Sequence, residues 1–173
     1  MGQKASSIKA FDDLESRKGY SGLYAIGAVY NPGEFTTPLS PTPQAGNYLL
    51  YGKASQALWR VNPQARGLDA TFAFDWSPPN LNRNNTLLTA GLRFNEPLPV
   101  GFHNTMSLGY VRNSLSSEFS PALSSAKTEQ GIEFNVLLLF GPFLVQPVGS
   151  VLRNVGGDTQ RATVFGVRTK VEF

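Results

Sequence analysis

Acidic side chains are the first place to look for chemistry in this chain, because cysteine is absent and histidine occurs once. Without thiols there is neither a disulfide framework nor a thiolate metal site. His103, beside Phe102 at the opening of a segment, excludes sites built on several histidines and reads as an interfacial or solvated side chain. Asp12, Asp13 and Glu15 crowd together, but in a polar, irregular stretch poorly suited to holding a metal. Asp75 and Glu133 could act on a glycosidic bond if their carboxyl groups lay about 5–9.5 Å apart. Nothing in the sequence fixes that separation. The GxSxG, Walker and HExxH motifs are absent, and Gly156-Gly157-Asp158 reads as a hairpin loop. These residue types point away from an enzyme, with no catalytic, cofactor-binding or metal-binding residue and no cofactor.

The segments that carry these residues alternate. In the last thirteen residues, RATVFGVRTKVEF, Thr163, Phe165, Val167, Thr169, Val171 and Phe173 fall on one face. Val164, Gly166, Arg168, Lys170 and Glu172 fall on the other. A strand apolar on one side, charged on the other and ending on an aromatic fits the closing strand of an outer-membrane β-barrel. The same two-residue period recurs upstream. Leu68, Ala70, Phe72, Phe74 and Trp76 oppose Asp69, Thr71, Ala73 and Asp75; Ile132, Phe134, Val136, Leu138 and Phe140 oppose Gly131, Glu133 and Asn135. Strands are expected at about 22–30, 46–60, 67–77, 86–95, 102–113, 127–140, 143–153 and 161–173. Residues 1–20 are expected as a polar, irregular lead-in, and 21–173 as the barrel unit. The inner faces mix polar and small residues, which suits water better than a dry core.

The connections alternate in length. Connections at 31–45, 78–85, 114–126 and 155–160 alternate with those at 61–66, 96–101 and 141–142 and form the longer set as a whole, although 155–160 only equals the six-residue turns. With the C-terminus periplasmic, the longer set is external. No segment could be a membrane-spanning helix: the most apolar window, residues 136–145, is ten residues long and broken by Gly141-Pro142. The first twenty residues have no apolar core of a secretory signal. A net charge of +3 with no charge run argues against nucleic acid.

Several motifs then occur in a familiar order. VYNPGEF (29–35) is similar to W-Y-N-x-G-x-F, and GNYLLYGKASQALWR (46–60) to G-N-Y-G-L-Y-x-x-x-D-Q-x-L-W-R, with Ser55 in place of Asp. DWSPPNLNRN (75–84) is like a P-P-D-x-N loop and is followed by the PLPVG turn (97–101). FLVQPVGSVLRNVGGD (143–158) is like L-x-L-Q-P-D-L-Q-Y-x-x-N-P-G-G, with Val148 replacing the acid and Val155 the proline. VFGVRTKVEF (164–173) is like V-x-G-L-R-x-x-x-x-F. In this order they resemble the C-terminal half of the carbohydrate-selective porins of the OprB family.

The resemblance implies an all-β fold, an antiparallel transmembrane barrel of outer-membrane porin type. Such porins have roughly sixteen strands, so about eight strands make a partial barrel, a truncated or excised piece whose bare edges must be paired. The implied function is passive diffusion of carbohydrates through a water-filled lumen in the outer membrane of a Gram-negative cell. Pore-lining candidates are Asp75, Arg93, Glu133, Asn135, Gln146, Arg168 and Lys170. Trp59, Phe165 and Phe173 are candidates for the membrane interface or the C-terminal insertion signal. Trp59 with Arg60 reads as an aromatic girdle with an interfacial arginine. Asn80, Asn82, Asn84 and Asn85 read as a turn cluster that could also meet sugar. Implied partners are mono- or oligosaccharides, outer-membrane lipid, the barrel-assembly machinery and further copies of the chain. Two alternatives stand beside this. One is a soluble eight-stranded ligand-binding barrel, with Phe72, Phe74, Trp76, Phe134 and Phe165 turned inward. The other is a complete small outer-membrane barrel of structural role, closed by the first and last strands.

Overall fold

Alternation leaves each strand one apolar side to cover and one polar side to wet, and pairing strands edge to edge keeps the two apart. The computed structural model describes residues 21–37, 40–61, 66–116, 118 and 127–171. The strands are β1 (Gly22–Thr37), β2 (Ser40–Arg60), β3 (Gly67–Trp76), β4 (Asn84–Asn95), β5 (His103–Leu115), β6 (Thr128–Phe140), β7 (Phe143–Arg153) and β8 (Arg161–Val171). They form one antiparallel sheet in sequence order, β1 to β8. Val155–Gly157 makes a single 3-10 turn between β7 and β8.

Register sorts the side chains. One row crosses all eight strands through Tyr24, Ala54, Phe72, Ala90, Tyr110, Ile132, Val151 and Thr163. A neighbouring row runs through Leu23, Ser55, Thr71, Gly91, Gly109, Glu133, Ser150 and Val164 on the opposite face. The first face is apolar and open: Phe72, Phe74, Leu108 and Phe134 are exposed, and Phe165 is 83% exposed. Ala57 is the one buried hydrophobic residue among the described residues. Such a sheet has no dry core. In water, leaving each large apolar side chain uncovered forgoes about 1.5–3 kcal/mol; in hydrocarbon it forgoes nothing. The soluble-barrel alternative required Phe72, Phe74, Trp76, Phe134 and Phe165 to turn inward, and they instead share the open apolar face.

The dimensions agree with a bilayer. Strands β3 to β8 have 10 to 13 residues, where a tilted spanning strand needs about 9–11. Aromatic rings mark both rims of the apolar belt. At the short-turn rim, Trp59 and Phe94 lie 5.9 Å apart, and Phe140 meets Phe102 at 5.8 Å and Phe143 at 6.0 Å. At the other rim Tyr48 meets Trp76 at 5.6 Å. Gly141, at φ +59°, opens the two-residue β6–β7 hairpin in the backbone region that primed turns require.

The structure differs from the sequence expectation most at 31–45. That stretch was expected as a long loop, but β1 continues to Thr37 and β2 begins at Ser40. Register shifts at Asn31/Glu34 and Phe35/Thr37 interrupt the pairing, and β1 is an edge strand, where a missing N–H is tolerated. Pro32 and Pro43 therefore lie within a hairpin of two strands and not in a loop. β5 likewise reaches Leu115. The lead-in at 1–20 and Phe173 lie outside the described residues. Among the described residues β1 and β8 are the two edges of the sheet, so the closing pair that a complete small barrel would need is not formed there.

A charge should be tolerated on one face of β4 and not on the other. Leu92→Arg, in the apolar belt, should destabilise the protein in lipid by about 2–4 kcal/mol. Thr89→Arg, three residues away on the polar face, should cost well under half of that. Urea titration in lipid vesicles, followed by tryptophan fluorescence, measures both.

Candidate pore-lining site

The polar face is organised in two parts. Toward the end of the sheet, Glu133, Asn135, Gln146 and Ser150 are linked across β6 and β7. The Ser150 hydroxyl donates to Glu133 Oε2 at 3.3 Å, and Gln146 Nε2 donates to Asn135 Oδ1 at 3.2 Å. Asn135 Nδ2 donates to Glu133 Oε1 at 3.5 Å. Register carries this group onto β8, where Arg168 pairs with Gln146 and Lys170 with Leu144. Five of the candidates thus form one contiguous polar surface. Pro147 lies beside it, on the other face. The β6–β7 ladder makes no bridge between Asn135/Val148 and Leu138/Val145, where Pro147 has no N–H to give.

The second part centres on Asp69, which is 3% exposed. Its carboxylate accepts from Arg60, from Arg93 Nη2 at 3.1 Å and from Asn95 Nδ2 at 2.8 Å. Arg60 is therefore turned to the polar face and paired, not the interfacial cation expected beside Trp59. A β-bulge between Ala57 and Trp59 sets which face each takes: Trp59 aligns with Leu68 on the apolar side and Arg60 with Gly67 on the polar side. Arg93 is also paired, though its side chain remains 56% exposed. Asp69 carried no signal beyond its place on the polar side of β3, because its partners come from β2 and β4.

Asp75 stands apart from both groups. It shares a row with Leu87, Asn113 and Glu129, four residues along the strand from the row of Glu133. Three strand spacings and four residues put Asp75 and Glu133 roughly 14 Å apart across the sheet and 13 Å along it. That is beyond the range for paired glycosidase carboxylates.

The loop ends are held by amides. Asn82 and Asn47 exchange side-chain hydrogen bonds at 3.0 Å, and Asn80 Nδ2 donates to Gln44 Oε1 at 2.8 Å. Ser116 Oγ donates to the Pro79 carbonyl. Asn80 and Asn82 are thus engaged in tying the 77–83 loop to β2. At the opposite rim the buried Asn104 accepts from Leu98 N–H at 3.0 Å and donates to the Leu98 and Phe102 carbonyls, shaping the 96–102 turn. His103 is exposed and its Nδ1 lies 2.6 Å from Glu96 Oε1. Among the described residues no cluster of histidine and carboxylate side chains could hold a metal.

An antiparallel hairpin sheet with a ring-bounded apolar exterior and a hydrogen-bonded polar face is the wall of an outer-membrane β-barrel. The chain belongs to the OprB family of carbohydrate-selective porins, whose family model matches residues 3–173. Porins are channels rather than enzymes, and membership places the chain in the outer membrane. Its fold is similar to the high-pH structure of Pseudomonas putida OprB, with a TM-score of 0.82 at 14% identity. The match covers 98% of this chain and 47% of that one, so the chain spans about half the length of that structure. No curated protein matches.

Asp69→Ala should cost about 3 kcal/mol, because it strands Arg60, whose side chain is only 18% exposed. Arg93→Ala should cost about 1 kcal/mol or less, since that pair is largely in solvent. Chemical denaturation in detergent micelles ranks the two; equal losses would contradict the buried carboxylate's role.

Proposed function

We propose that the chain forms part of the wall of a water-filled pore through which carbohydrates diffuse passively, without catalysis. The observation that carries this reading is the division of the sheet into an open apolar face and a linked polar one. A sugar in such a lumen exchanges water for side-chain donors and acceptors and is never bound tightly enough to stop. Glu133, Asn135, Gln146, Arg168 and Lys170 would form one polar strip along the lumen, with Asp75 and Arg93 further round. In the working barrel, β1 and β8 would pair with further porin strands, because hydrocarbon tolerates no bare edge. Trp59, Phe165 and the terminal Phe173 would serve the membrane interface and the signal that assembly machinery reads. Residues 1–20 would form a lead-in ahead of the barrel unit. Oligomers of the chain and contacts with outer-membrane lipid belong to the same proposal.

The protein should support swelling of liposomes in isotonic monosaccharide and not in a large dextran. Swelling no faster than in protein-free liposomes would sink the reading. Because the chain has no cysteine, single substitutions report on each face without background. Cysteine at Glu133, Gln146 or Arg168 should react with a membrane-impermeant maleimide in lipid, whereas cysteine at Phe134 or Phe165 should be protected. Reversed labelling would place the lumen on the wrong face.

A further inference from the structure

Arginines occupy the apolar face where it runs out at the longer-loop rim. Arg112 on β5 pairs with Gln130 on β6, Gln130 with Arg153 on β7, and Arg153 with Arg161 on β8. Phe74 and Leu88 continue the same row, so the arginines stand on the outward side. Beyond them the face carries Thr86, Ser114 and Thr128; before them come Tyr110, Ile132 and Val151. All three arginines are exposed, and none makes an ion pair among the described residues. Arg153 and Arg161 are direct cross-strand neighbours, an arrangement that like charges oppose unless an anion lies between them. At the opposite rim the outward face of β4, β6, β7 and β8 ends in Phe94, Phe140, Phe143 and Val171.

Below the arginines the surface is hollow. A depression of about 390 Å³ is bordered by Tyr110, Ile132 and Val151 and headed by Gln130, Arg153 and Arg161. A second, of about 360 Å³, continues from Tyr110 and Ile132 past Ala90 and Ala70. Alanines among large neighbours make this trough: Ala90 pairs with both Phe72 and Tyr110. An apolar trough headed by guanidinium groups matches an anionic amphiphile in shape and in charge. Guanidinium forks suit phosphate oxygens, and a free phosphate would leave the trough unfilled.

We propose that this groove holds a phosphate-bearing lipid of the surrounding membrane. Its headgroup phosphate sits at Arg153 and Arg161, and an acyl chain lies along Tyr110, Ile132 and Ala90. The site requires that the apolar face meet lipid, and it is independent of whether sugars pass on the other face.

Native mass spectrometry of the protein in detergent, titrated with short-chain phosphatidic acid, tests the site. The protein should retain one lipid per chain. The Arg153→Gln/Arg161→Gln double variant should bind it about thirtyfold more weakly, and the corresponding double lysine variant should fall between. Ala90→Leu, which fills the trough and leaves the arginines alone, should also weaken retention. Unchanged binding in either the glutamine pair or the filled trough overturns the proposal. So does displacement by inorganic phosphate at concentrations matching the lipid, which would reduce the site to an anion contact. A change of oligomeric mass in the glutamine variant without loss of lipid would reassign the row to a subunit interface. Circular dichroism checks that each variant keeps its sheet. Sugar swelling is measured separately, so loss of the lipid site and loss of the pore are distinguishable.

Discussion

Inside hydrocarbon a peptide group has no water to turn to, so every N–H and C=O must find its partner within the protein. Consecutive hairpins answer this requirement with the shortest connections available, and the sheet order β1 to β8 follows from it. The same requirement governs where irregularity is allowed. The register shifts in β1–β2, β2–β3 and β4–β5 lie at Asn31/Glu34, Phe35/Thr37, Ala57/Trp59 and Asn84/Thr86, all toward strand ends. There water or the polar headgroup region can satisfy what the ladder leaves open. Pro147 is the exception, inside β7 at the unbridged stretch of the β6–β7 ladder. Beside that gap, Gln146 and Asn135 supply a side-chain hydrogen bond across the same two strands.

With the backbone satisfied, the side chains are free to serve two solvents. Elsewhere a domain of this size would gather its phenylalanines and leucines into a core; here they spread over one face, and lipid does the covering. The polar face carries the charges, and most of those candidate residues also hydrogen-bond to a neighbouring strand. Glu133 with Ser150, Gln146 with Asn135, and Arg93 with Asp69 each stitch adjacent strands while presenting polar surface. Polar surface and support are therefore supplied by the same residues.

The rims are built differently from the belt. Among the described residues the buried polar ones, Asp69, Ser77, Asn104 and Ser116, sit at or just beyond strand ends. Lipid burial cannot order a turn, so hydrogen bonds to backbone and to neighbouring loops do it instead. Asn104 holds the 96–102 turn, and Asn47 with Asn82 holds the 77–83 loop to β2. Among the described strand residues, charged groups on the apolar face are also confined to rim positions, as the outward arginines are, because a charge deeper in the belt would meet hydrocarbon.

Much of this was legible in the sequence because a strand's period of two is local: RATVFGVRTKVEF separates its faces with no knowledge of its neighbours. Alternation located the eight strands, and motif order pointed to the family. Pairing was not legible in the same way. The stretch at 31–45 was expected as a long loop, and its strand character comes from a bulged partner across the turn, which no local signal carries. Arg60 looked interfacial because its neighbour is Trp59; a single bulged residue at position 58 exchanges the faces these two consecutive residues take, turning Trp59 outward and Arg60 to the polar side. Asp69 gained its arginines, and Arg153 its neighbour Arg161, only through register. The sequence by itself divided the regular stretches of strand into an apolar and a polar face, since that follows from alternation along one strand, but not where a bulge reverses the alternation, as before Trp59 and Arg60. Tertiary structure alone decided which polar groups meet, because strand register joins residues that are far apart in the chain.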